Sequence, residues 1–130
     1  MAKLRVSNEM PSHAQCKATL NSVADALYVI GGKWKLKIIV ALTDGNKRFN
    51  ELQRLVEGIS AKVLSAELKE LELNGFVHRN VFTTTPVVVE YELSEYAETL
   101  DSLLKALSEW GAMHRETVKK SMRKKKPAIA

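Results

Sequence analysis

The sequence predicts an α+β fold, mostly helical, in which two short helices joined by a tight turn are followed by one β-hairpin and a long closing helix. Three observations carry this. Between Arg48 and Gly75 apolar residues recur at helical spacing, break at Glu57-Gly58 and restart at Ser60. After Gly75 the apolar period drops from about 3.6 residues to about 2. From Ser94 the helical spacing returns, with Tyr96, Leu100, Leu103, Leu104, Leu107 and Trp110 on one broad face.

Taken in order, residues 1–18 have mixed polarity, contain Pro11 and show no sustained period, so they read as an N-terminal arm. Leu20, Val23, Ala24, Leu27 and Ile30 mark one face of a first helix, with Asn21 as a cap near its start and Gly31-Gly32 closing it. Trp34, Ile38, Ala41 and Leu42 form the buried stripe of a second helix that ends at Asp44-Gly45. Lys33, Lys35 and Lys37 sit at its start, where cations oppose the macrodipole, so helix stability does not account for them. A solvated surface is their ordinary use, and phosphate contact the functional one.

The central pair is more specific. Phe49, Leu52, Leu55 and Val56 line its first helix, and Ser60 is placed to cap the second, with Ile59 and Leu64 at the spacing of a hydrophobic staple. The second helix, about residues 60–74, buries Leu64, Leu68 and Leu71, which turns Lys62, Ser65, Ala66 and Lys69 outward. Asn74-Gly75 ends it, with Phe76 placed to fold back on Leu71 as in a Schellman motif. This is the helix-turn-helix pattern, whose second helix can enter the major groove of DNA; Lys62 falls in its first turn, where base edges are met.

A hairpin follows directly, about residues 76–93. Val89, Tyr91 and Leu93 alternate with Val88, Glu90 and Glu92, Phe76 to Phe82 supplies the partner strand, and Thr83 to Pro86 joins them. Helices, a helix-turn-helix and then a hairpin is the order of a winged helix-turn-helix domain. As the wing, the hairpin places Arg79, Thr83 and Thr84 beside the DNA backbone or minor groove. Ser94 caps the closing helix, with Glu95 in its first turn. Running to about Ser121, that helix spans on the order of 40 Å, more than the domain can cover, so Leu100, Leu103, Leu104, Leu107 and Trp110 are expected at a two-fold dimer interface. The organisation is thus an arm (1–18), a winged helix-turn-helix domain with its long C-terminal dimerisation helix (19–116) and a basic, unstructured tail (117–130).

Charge is segregated along the chain. The formal net charge is +5, and residues 117–130 hold six Lys or Arg and no acid. Residues 33–69 carry eight Lys or Arg against four acids, whereas 70–116 carry three against nine. The helix-turn-helix half is therefore the one suited to phosphates. A single cysteine, Cys16, excludes an internal disulfide framework and a cysteine-rich zinc site. With no apolar run of membrane-spanning length and no leader-like start, the expectation is a cytoplasmic protein with no membrane association.

In combination and order, several segments resemble the HxlR-type helix-turn-helix transcriptional regulators, winged-helix proteins related in architecture to the MarR regulators. The segments are Ile30-Gly31-Gly32-Lys33-Trp34, Arg48-Phe49-Asn50-Glu51-Leu52, Gly58-Ile59-Ser60 with Lys62, Val63 and Leu64, and Leu68-Lys69-Glu70-Leu71-Glu72 with Asn74-Gly75. Pro86, Val89-Glu90-Tyr91, Leu93 and Trp110-Gly111 continue the match. The resemblance implies a prokaryotic homodimer that binds a roughly palindromic operator in double-stranded DNA, often beside genes answering oxidants or electrophiles. Many such proteins sense through a cysteine about ten residues before the Gly-Gly pair, a position held here by Asn21; Cys16 lies five residues upstream. Cys16 is accordingly the candidate redox sensor, with an oxidant or small molecule as effector.

The expected DNA contacts are Lys33, Lys47, Arg48, Ser60, Lys62, Ser65, Lys69, Arg79, Thr83 and Thr84. No cofactor or metal is expected. His13, His78 and His114 are scattered and Cys16 has no evident base partner, which argues against an enzyme. The stronger rival is a winged helix used for protein contact without specific DNA binding, against which the basic stretch from Lys33 to Lys69 weighs.

Overall fold

Apolar stripes from the middle of the chain converge on one core in the computed structural model, which describes residues 12–125. The elements are α1 (His13–Ile30), α2 (Lys35–Leu42), α3 (Phe49–Leu55), α4 (Ala61–Leu73), β1 (Val77–Phe82), β2 (Val88–Leu93), a 3-10 turn (Tyr96–Leu100) and α5 (Asp101–Lys125). Ile38 and Ile39 of α2, Leu52 of α3, Leu64, Leu68 and Leu71 of α4 and Val77 of β1 are almost wholly buried together. Helices as short as α2 and α3 are marginal alone, so this shared burial, about 1.5–3 kcal/mol per side chain, is what forms and orients them.

β1 and β2 pair antiparallel from Val77 opposite Leu93 to Phe82 opposite Val88. The alternation expected along β2 does not appear as burial: all six residues are half-buried, because only Tyr91 and Leu93 reach the core and the outer part of the hairpin stands clear of it. A bridge that the period does not reveal attaches the hairpin to the helices. The Lys47 N–H donates to the Tyr91 carbonyl at 3.0 Å, and the Tyr91 N–H donates to the Lys47 carbonyl at 2.7 Å.

Three boundaries differ from expectation. α1 begins at His13, not near Leu20, and its cap is Ser12 rather than Asn21: Ser12 Oγ accepts from the Gln15 N–H at 3.1 Å and Gln15 Oε1 from the Ser12 N–H at 2.8 Å. The end of the expected arm is therefore helical, and residues 1–11 lie outside the described residues. The closing helix opens through a 3-10 turn, α5 proper starting at Asp101. α5 then continues through the basic run to Lys125, where an unstructured tail was expected; Lys, Arg and Met are good helix formers, and cations near a helix C-terminus suit the macrodipole. Residues 126–130 of that tail lie outside the described residues.

Ser94 ties the two halves of the domain. Buried between the end of α4 and the start of the 3-10 turn, its Oγ donates to the Gly75 carbonyl at 2.6 Å and accepts from the Ala97 N–H at 3.2 Å. Its N–H donates to the Phe76 carbonyl at 2.9 Å. Ser94→Ala should cost about 1–3 kcal/mol in a denaturant melt, since two backbone groups lose their side-chain partner; a variant as stable as the parent would contradict this role.

Candidate nucleic-acid interface

The site is built on α4. Ser60 Oγ accepts from the Val63 N–H at 3.1 Å, as expected of the cap. Ile59 and Leu64 are both buried on either side of it, so the staple forms. The turn before the cap runs through Gly58 at φ 89°, a left-handed conformation that favours glycine. At the far end Gly75 adopts φ 82°, its N–H donating to the Glu72 carbonyl at 3.1 Å and the Phe76 N–H to the Leu71 carbonyl at 2.9 Å. That pair of bonds is the Schellman motif, and Phe76 is buried beside Leu71.

With both ends fixed and three leucines inward, Lys62, Ser65, Ala66 and Lys69 are all exposed along one side of α4. Ser60 is exposed but its hydroxyl is engaged by the cap. On α3 the expected stripe is only partly expressed. Leu52 and Val56 are buried and Phe49 half-buried, whereas Leu55 stays 56% exposed because it faces an open groove between α2, α3 and α5. Arg48 caps α3 through its backbone, whose N–H donates to Glu51 Oε1 at 2.8 Å, leaving the guanidinium exposed. It lines a polar recess with Asn46, Asn50, Glu51, Arg54 and Glu90. Of these, Asn46, Asn50 and Arg54 are not among the DNA contacts expected from the sequence; Asn46 and Asn50 flank the start of α3 and Arg54 lies in its last turn.

The lysines near α2 have three different fates. Lys33 and Lys37 hold their ammonium groups 4.7 and 5.2 Å from the centre of the Trp34 ring, a double cation–π contact at the edge of the helix-turn-helix. Lys47 is drawn back onto Asp44 at 2.6 Å, and this ion pair holds the Asp44 carboxyl below its usual range. Lys35 is neither solvated nor free for phosphate: it is buried, 2.6 Å from Glu67 and 2.8 Å from Glu70 of α4. In the wing, Arg79, Thr83 and Thr84 are exposed, and the Thr84 hydroxyl donates to the Pro86 carbonyl at 2.7 Å. Around them Val81, Phe82 and Val87 leave the wing tip markedly apolar, which the threonine-rich loop did not suggest.

Among the described residues no helix is long and apolar enough to cross a membrane, and no group of three or more His, Cys, Asp or Glu is placed to hold a metal ion.

A core-anchored second helix with a bare polar face, backed by a short first helix and followed by a hairpin, defines a winged helix-turn-helix regulator of transcription. The chain belongs to the HxlR family: the family described as HxlR-like helix-turn-helix matches residues 29–119. It is 50% identical over 93 residues to the HTH-type transcriptional regulator YtcD of Bacillus subtilis, a match covering 72% of this chain and 74% of that one. The crystal structure of ytcD superposes with a TM-score of 0.70 at 48% identity, over 72% of this chain and 96% of the other. The redox regulator HypR in its reduced form gives 0.71 at 40% identity over 76% and 98%. The transcriptional regulator YodB of B. subtilis, in its reduced form, gives 0.63 at 38% identity over 68% and 87%.

The Lys35 pairing has a pH signature. Burial pulls its pKa down, but the hydrogen bonds and charges of Glu67 and Glu70 outweigh burial and hold it above the ordinary lysine value. A group raised in this way contributes stability that is complete below its unfolded value of about 10.4 and lost as pH rises through the folded value. Lys35→Met should therefore lower stability by roughly 1–3 kcal/mol at neutral pH, with the gap to the parent closing only in strongly alkaline solution. Thermal melts of both proteins across that range check it; a gap that closes near neutrality contradicts the pairing.

Proposed function

We propose that the protein binds a roughly palindromic operator as a homodimer, with α4 in the major groove and the β1–β2 wing on the backbone or minor groove. The observation that carries this is the exposed face of α4, where Lys62 stands in the first turn of a capped helix beside the small Ser65 and Ala66. Such a side chain can donate to guanine O6 and N7. Lys69, farther along, suits a phosphate, as do Lys33, Lys37, Arg48 and Arg54 at the flanks, with Arg79, Thr83 and Thr84 on the wing. Lys47, held by Asp44, is left out of this set.

Two apolar faces left exposed among the described residues support the homodimer. On α1, Leu20, Val23 and Leu27 are 65%, 50% and 61% exposed. On α5, Leu103, Leu107 and Trp110 are exposed in one stripe, with Trp110 stacked on His114 at 4.9 Å. Leu100 and Leu104, expected in the same interface, serve the chain's own core instead: Leu100 is buried and Leu104 packs against the core cluster. Cys16 lies exposed in the first turn of α1, one helical turn before Leu20 on the same face. Oxidation there would act on the dimer contact, which is how a response to oxidants, in keeping with the redox regulator HypR among similar structures, would reach the DNA-binding surface.

Three measurements follow. Lys62→Ala should lower affinity for the selected operator by about 1–3 kcal/mol while binding to scrambled DNA and thermal stability stay nearly unchanged; equal losses on both duplexes contradict the assignment. Leu103→Glu with Leu107→Glu should give monomers or unfolded chain in light scattering, and a folded monomer for the unmodified protein would end the dimer reading. Hydrogen peroxide should weaken operator binding by the unmodified protein and leave Cys16→Ser unaffected; identical behaviour of the two makes the cysteine incidental.

A further inference from the structure

We infer that Lys35 is a positioning residue for DNA recognition: a clamp from α2 that fixes the rotation of α4 about its own axis. This rests on the reading of α4 as the recognition helix. Lys35 is the first residue of α2, where the macrodipole disfavours a cation, and it is buried. Neither helix formation nor solvation explains it there. What holds it is a pair of carboxylates on α4, Glu67 at 2.6 Å and Glu70 at 2.8 Å.

The geometry suits a clamp. At about 100° per residue, Glu70 lies about 80° around α4 from Lys62 and Glu67 about 140°, between the bare face and the buried leucines. Glu67 is 22% exposed and Glu70 58%, so one carboxylate is tucked toward α2 and the other borders the bare face. One ammonium gripping two groups three residues apart resists rolling of α4 in a way that a stripe of leucines cannot, since apolar contact is non-directional. A roll of α4 swings Lys62 and Ser65 sideways against the base edges while leaving the core nearly as well packed. The same ammonium cancels carboxylate charge at the border of a face that must meet phosphates.

The test uses the full chain with Lys35→Met, Lys35→Arg and the triple variant Lys35→Met, Glu67→Gln, Glu70→Gln. Two quantities are read: amide hydrogen exchange along α4 relative to α3, and the affinity ratio between a duplex selected from a random-sequence pool by the unmodified protein and its scrambled copy. Lys35→Met should speed exchange in α4 more than in α3 and lower the ratio by about tenfold, comparable to one lost base contact. Lys35→Arg, which can still bridge both acids, should preserve both quantities within about twofold. The triple variant strands no charge, so it should recover thermal stability yet keep the low ratio; it carries the measurement if Lys35→Met fails to fold. Unchanged α4 exchange and ratio in Lys35→Met overturn the inference, and so does full recovery of the ratio in the triple variant, which would reduce Lys35 to charge cancellation. If the unmodified protein selects no sequence, the DNA-binding reading fails, and the exchange pattern alone still decides for or against the clamp.

Discussion

Burial of Leu64, Leu68 and Leu71 against α2, α3 and β1 is the interaction on which the rest depends. A helix of 13 residues has too little intrinsic stability to hold its own place, and three leucines contribute about 1.5–3 kcal/mol each when buried. The Ser60 cap adds about 1 kcal/mol. Packing therefore decides that α4 forms and how close it lies, while the cap, the Gly58 turn and the Schellman end decide where it starts and stops. Directional contacts do what leucines cannot. Lys35 reaches α4 from α2, Ser94 joins the end of α4 to the start of the last helix, and the Lys47–Tyr91 bridge pins the wing to the segment before α3. Each is a polar link at the edge of the apolar core, and together they join the elements behind the exposed face.

The same distinction explains what could be read before the structure. Where a segment faces the core squarely, its period and its ends are both written locally, as in α4 with its cap and its Asn74-Gly75 end. α3 and the hairpin, which meet the core along only part of their length, show the elements but not the burial pattern. Where a segment faces away from the core, period is a poor guide. The first half of α1 is exposed among the described residues, and its apolar pattern is weak before Leu20, yet the Ser12 and Gln15 capping box starts it at His13. The basic run near the C-terminus has no apolar period either, but helix propensity carries α5 through it. The exposed face of α4 was legible in the sequence, the surroundings of individual lysines less so. Lys33, Lys35 and Lys37 look equivalent in sequence, and only the folded chain separates two that flank Trp34 from one buried on Glu67 and Glu70. The paired acids three residues apart on α4 were the available clue. Lys47 is a similar case, since the sequence does not show that its ammonium pairs with Asp44, three residues earlier.

Function divides along these lines. The middle of the chain, from α2 to β2, supplies most of the core, which Ile30, Ala97 and Leu100 complete from outside it, and its bare face on α4 is polar and basic. Toward the two ends, α1 and the first half of α5 each carry a bare apolar stripe, which is the chemistry of contact between protein chains rather than with DNA. In dimeric helix-turn-helix regulators one surface reads a half-site and another sets the distance between two of them. Cys16 is exposed in the first turn of α1, on the side of that apolar face and away from α4 in sequence.

The central claim is that the α4 face is the DNA-reading surface. Chemical-shift mapping of nitrogen-labelled protein against a duplex selected from a random pool tests it most directly. The account predicts the largest changes at Lys62, Ser65, Ala66 and Lys69, with smaller ones at the wing tip and around Arg48. Changes confined to the basic end of α5, with α4 unaffected, would contradict it.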